Sequence, residues 1–69
     1  MNVNRLKAKL VENGLNVERL AEKIGLNPDT VYKKIKRDGF KMSEVRKIAE
    51  VLNLTSTELC EIFFAKNYD

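Results

Sequence analysis

The sequence predicts an all-α fold of five short helices, and three observations carry that expectation. Apolar residues recur at helical spacing in successive stretches, as in Val17, Leu20, Ala21 and Ile24. Residues that cap helix starts (Asn16, Asn27 and Thr55) stand just ahead of such stretches. Stop signals follow them: Gly14, Gly25 and the pair Asp38-Gly39.

The first helix is expected from about Asn2 or Asn4 to Asn13. Val3, Leu6 and Leu10 form its apolar stripe and Val11 widens it. Gly14 takes the position after the helix, and Leu15 makes the hydrophobic closure. Asn16 caps the second helix, which Gly25 ends because glycine tolerates positive φ. Leu26 plugs the corner. Asn27 then caps a third helix over about 28–37, with Pro28 in the first position, where its missing N–H is no loss. Val31 and Ile35 point inward.

Residues 16–37 therefore hold two short helices joined by a tight turn. Ala21, Gly25 four residues on and Val31 ten residues on are the marks of a helix-turn-helix. Two helices crossing steeply need a small side chain where they touch, and Ala21 supplies it. An ordinary helical hairpin is the alternative. Alanine alone does not separate the two; the three positions together are far more specific. The second arm of such a motif enters a DNA major groove.

Val45, Ile48, Ala49 and Leu52 define a fourth helix. Its start is ambiguous: Lys41 stands where a better cap is expected, and Ser43 suits a later start. Phe40 is expected to bury its ring under the preceding loop; stacking on DNA is the lesser reading. Thr55 and Glu58 make a capping box for a fifth helix, which faces Leu59, Ile62 and Phe63 to the core. Cys60, Phe64 and Tyr68 share a neighbouring face. A domain this small cannot easily bury both faces, so this stripe, with Val51, is an expected two-fold dimer contact. The alternative is that Phe64 folds back onto the first helix and Tyr68 frays.

Length and charge narrow the function. Sixty-nine residues make one domain, 1–69, near the lower size for an unstapled core, with no room for a separate sensor. No apolar run approaches the ~18 residues a membrane span needs, and no signal-peptide core is present, so a cytoplasmic protein is expected. Cys60 is the only cysteine and histidine is absent, which argues against a disulfide, a structural zinc site and histidine general-base catalysis. No catalytic cluster, metal site or cofactor is expected. The net charge is only +3, but it is polarised. Residues 27–47 carry seven basic side chains against three acidic ones, whereas residues 48–69 carry one against four. A basic middle suits phosphate neutralisation; a solvated helix face is the plainer account.

The chain resembles the Cro/repressor-type (Xre-like) helix-turn-helix proteins over about Leu6 to Phe64. The matching stretches are Gly14-Leu15-Asn16, Leu20-Ala21-Glu22-Lys23-Ile24-Gly25-Leu26 and Thr30-Val31-Tyr32-Lys33-Lys34-Ile35. They continue with Ile48-Ala49-Glu50-Val51-Leu52-Asn53-Leu54-Thr55 and Glu58-Leu59. The end, Glu61-Ile62-Phe63-Phe64-Ala65, is similar to small phage-type regulators of Gram-positive bacteria. The resemblance implies a compact five-helix Cro/repressor-like bundle that binds double-stranded operator DNA as a homodimer. In many members a glutamine opens the second helix and contacts the DNA backbone; Val17 stands there here.

The expected role is a sequence-specific transcriptional regulator, a Cro-type repressor of a phage or prophage. Antitoxins and excision factors share the same surface. A protein-binding adaptor or inhibitor on the same fold is the rival class, and an enzyme is a distant third. With Val31 and Ile35 inward, expected base contacts are Asn27 (if free of its capping duty), Asp29, Thr30, Tyr32 and Lys33. Lys33 leads, since lysine donates to guanine O6 and N7. Asp29 serves either cytosine N4 or the helix N-terminus. Tyr32 suits a thymine methyl or a phosphate. Expected phosphate contacts are Asn16, Lys36, Arg37, Lys41 and free amides at the starts of helices two and four. A dimer would read an inverted repeat with half-sites about 34 Å apart.

Overall fold

A computed structural model describes residues 1–37 and 39–64. Its regular structure is five helices: α1 (Val3–Glu12), α2 (Val17–Ile24), α3 (Pro28–Arg37), α4 (Met42–Leu52) and α5 (Ser56–Phe63). Each boundary has a local cause. At α1, the Asn2 side chain accepts the Arg5 amide at 3.1 Å. Gly14, at φ +68°, then turns the chain so that the Leu15 amide returns to the Leu10 carbonyl at 2.8 Å. At α2, Asn16 accepts the Arg19 amide at 2.9 Å. Gly25, at φ +75°, lets the Leu26 amide reach the Ala21 carbonyl at 2.9 Å. This local pair of bonds sets the angle at which the chain leaves α2.

Two boundaries depart from the expected pattern. The fourth helix starts at Met42 with Lys41 in the cap position, so Ser43 is inside it. A lysine cannot accept a hydrogen bond, and the capping contact runs the other way: the Glu44 carboxylate accepts the Lys41 amide at 2.8 Å. Asn53 ends α4 in the left-handed region at φ 53°, and the Leu54 amide returns to the Ala49 carbonyl at 2.9 Å. Asparagine is one of the few residues that tolerates this conformation. The Thr55–Glu58 capping box forms as expected, with both reciprocal bonds at 2.9 and 3.1 Å.

The core follows from the helical stripes, except that Val11, expected to widen the stripe of α1, is 75% exposed. Leu6, Leu20, Ala21, Val31, Ile48 and Ile62 are fully buried, with Leu52 and Leu10 nearly so. Each such Leu, Ile or Val contributes about 1.5–3 kcal/mol by leaving water. α2 lies at the centre, packing on both α3 and α4, and α1 packs on α5. Ala21, with no exposed surface, lies in this central helix, as a close crossing requires. Phe40 is half-buried with its ring edge-on to Phe63, centroids 6.1 Å apart, rather than free for stacking.

α1 and α5 are joined at their edges. The Asn2 amide donates to the Ile62 carbonyl at 2.7 Å, and Arg5 pairs with Glu61 at 2.9 Å and Lys9 with Glu58 at 2.6 Å. The Lys9 ammonium and the Thr55 amide hold the Glu58 carboxyl below its ordinary value of 4.5. A lowered carboxyl stabilises the fold above its ordinary pKa and loses that contribution as pH falls through the folded value. The urea midpoint is therefore expected to fall on acidification below about pH 4.5. Glu58→Gln, which keeps the capping box, should flatten that slope; an unchanged pH profile would remove the pair from the account.

Candidate nucleic-acid interface

α3 carries its apolar anchor on one side and its charge on the other. Val31 is fully buried and Ile35 half-buried. Asp29, Lys33, Lys36 and Arg37 are exposed on the opposite side, with Thr30 half-buried and Tyr32 exposed beside them. Lys33, Lys36 and Arg37 make no ion pair with any described residue, so their charge is free for an outside partner. Thr30, Lys33, Arg37 and Gly39 line a shallow cleft along this face.

The caps bear on two expected contacts. The Asn27 side-chain oxygen accepts the Asp29 amide at 2.9 Å. That bond occupies one of the two lone pairs of the oxygen and fixes the side chain at the helix start. The Asn16 oxygen is engaged by the Arg19 amide in the same way. Val17 is buried, so its side chain is a core contact at the position where the resemblance implies a polar residue. Lys41 is exposed at the start of α4, with its side chain unpaired among the described residues.

Two side-chain ties were not anticipated. The Tyr32 hydroxyl donates to Glu18 on α2 at 2.9 Å, and this carboxylate pushes the phenol pKa up. Lys34 reaches Glu44 on α4 at 3.1 Å, with both side chains largely shielded. Burial raises the Glu44 carboxyl, but the Lys41 amide and the Lys34 ammonium outweigh it and hold it below its ordinary value. Lys34, counted in the basic segment, is thus neutralised within the fold. Only one signal in the sequence hinted at this: a glutamate three residues after a residue that cannot itself cap.

The five-helix order, the glycine-hinged α2–α3 pair and the basic outer face of α3 coincide with a family model. The Cro/C1-type HTH DNA-binding domain matches residues 5–65. The chain belongs to this family. No curated protein and no solved structure matches it. In this Cro/C1-type domain α3 packs on α2. No helix among the described residues is long and apolar enough to cross a membrane. Nor does any group of three or more His, Cys, Asp or Glu among them suit a metal ion.

Near the end of α5 this Cro/C1-type domain leaves an apolar surface. Met42 and Phe64 are 63% and 51% exposed. With Phe40, Val45 and Phe63 they line a surface groove of about 320 Å³. Cys60 is exposed on α5, whereas Val51 packs partly against the core. Tyr68 lies outside the described residues.

Proposed function

We propose that this chain is a sequence-specific transcriptional regulator, a Cro-type repressor of a phage or prophage. It would lay α3 in the major groove of an operator and exclude the polymerase. The observation that carries the reading is the free cationic face of α3, where Lys33, Lys36 and Arg37 stand opposite the buried Val31. Lys33, Asp29, Thr30 and Tyr32 are assigned to base edges. Lys36, Arg37, Lys41 and Asn16 are assigned to phosphates, Asn16 through its amide nitrogen. Asn27 is assigned to a base edge through its amide nitrogen and the remaining lone pair of its oxygen.

Selection of preferred sites from random duplexes, repeated over a salt series, tests this. One preferred sequence is expected, with affinity falling steeply as salt rises through counterion release. Equal binding to all duplexes would sink the repressor and favour a protein-binding adaptor.

We assign the exposed Cys60, Phe64 and Met42, with Tyr68 as the next residue of the sequence stripe, to a second copy of the chain on an inverted repeat. Exposed aromatic and methionine surface of this kind is typical of interface cores. Phe64→Ser is expected to leave the melting temperature within a few degrees of the parent while abolishing cooperative filling of the two half-sites. A parent protein that sediments as a monomer at high concentration and binds half-sites independently would refute the dimer.

A further inference from the structure

We infer that Glu18 and Glu44 are positioning residues that fix the rotation of the recognition helix about its own axis, and so the aim of Lys33; this rests on the DNA-binding reading. The apolar contact of α3 with the core is narrow, with Ile35 half-buried beside Val31. Val31 is its only fully buried side chain, whereas α2 buries four. An apolar anchor resists lifting of the helix but resists rolling poorly, because dispersion contacts have no direction.

The two ties supply that direction. At about 100° per residue, Tyr32 and Lys34 lie on opposite flanks of Lys33, and Val31 and Ile35 lie about 160° from it, facing the core. The − flank is fastened to α2 by the 2.9 Å bond from the Tyr32 hydroxyl to Glu18. The + flank is fastened to α4 by the 3.1 Å contact from Lys34 to Glu44. Glu44 is itself held by the Lys41 amide at 2.8 Å, so this tie ends on backbone rather than on a loose side chain. Lys33 stands between two tethered neighbours with no described partner of its own.

The geometry sets the sensitivity. With side chains a helix has an outer radius of about 5–6 Å, so a ~20° roll shifts a side-chain tip by roughly 2 Å. Base-edge hydrogen bonds fail over such a distance, but phosphate attraction does not. Releasing the ties should therefore blunt sequence discrimination and spare general affinity for DNA.

Glu18→Ala frees one flank, and the charge-conserving pair Lys34→Gln with Glu44→Gln frees the other. The measured quantity is the ratio of affinities for the selected site and for random duplex. Each variant is expected to lose roughly tenfold in that ratio. Random-duplex affinity should hold for the double variant and hold or rise for Glu18→Ala, which removes a repelling carboxylate. Lys34→Arg, which keeps the ion pair, should keep the ratio. Amide hydrogen exchange without DNA should quicken in α3 and not in α1 or α5. A ratio unchanged in folded variants, or equal losses on both duplexes, would overturn the inference. If the parent protein prefers no site, the DNA reading fails; exchange in α3 at parental rates would overturn the ties themselves.

Discussion

Leu20→Ala is expected to cost about 2–5 kcal/mol, a large part of the fold's stability. Leu20 has no exposed surface and sits on α2, the helix that packs on both α3 and α4. Truncation leaves a void in a core cluster whose other members, such as Leu6, Val31 and Ile48, are themselves fully buried. Domains of this size have roughly 3–10 kcal/mol in total. The variant should therefore melt at least ~10 °C lower by circular dichroism, or be unfolded at 37 °C. The proposed operator binding would vanish with the fold, because α3 packs on α2. A shift of only a degree or two would mean that this site relaxes freely, against the close packing seen here.

Lys33→Ala should produce the largest loss on DNA that leaves the fold intact. The side chain is exposed and has no described partner, so its removal breaks nothing within the protein. Loss of a two-pronged lysine–guanine contact costs ~1–3 kcal/mol at one base pair. The selected site should weaken by that amount, its preference at one position should relax, and random duplex should weaken little. Lys41→Ala gives the contrast. It removes the proposed phosphate contact, so it should weaken every sequence alike and reduce the salt slope by about one. Gel-shift titrations on both duplexes separate the two behaviours. Equal loss from Lys33→Ala on selected and random DNA would move Lys33 to the backbone.

What could be read from the sequence was whatever local chemistry dictates. Asn16, Asn27 and Thr55 act on amides two or three residues away, and Gly14 and Gly25 turn the chain at their own positions. Such features are written within a few residues, so α2, α3 and α5 could be bounded from composition and spacing. The start of α4 was ambiguous because the cap there is inverted, with Glu44 reaching back to the Lys41 amide. Asn53 gave little warning, since asparagine is as common in loops as in left-handed caps.

The candidate site divides in the same way. The outward face of α3 follows from helical periodicity once Val31 is placed inward. Lys34 could not be sorted from Lys33 by counting charge, because its partner lies ten residues away on another helix. The Tyr32–Glu18 bond spans fourteen residues and leaves no periodic trace. Asn27 was doubly suited, to capping and to adenine, and only the geometry shows its oxygen occupied.

The hinge after α2 has an evolutionary corollary. Its two backbone bonds, Leu26 to Ala21 and Gly25 to Glu22, involve no atom of Asp29, Lys33, Lys36 or Arg37. Those four side chains are exposed and carry none of the core. Under the proposed reading, mutation can therefore rewrite the preferred letters while the melting point stays put, so drift in target choice needs no compensating repair elsewhere in the chain.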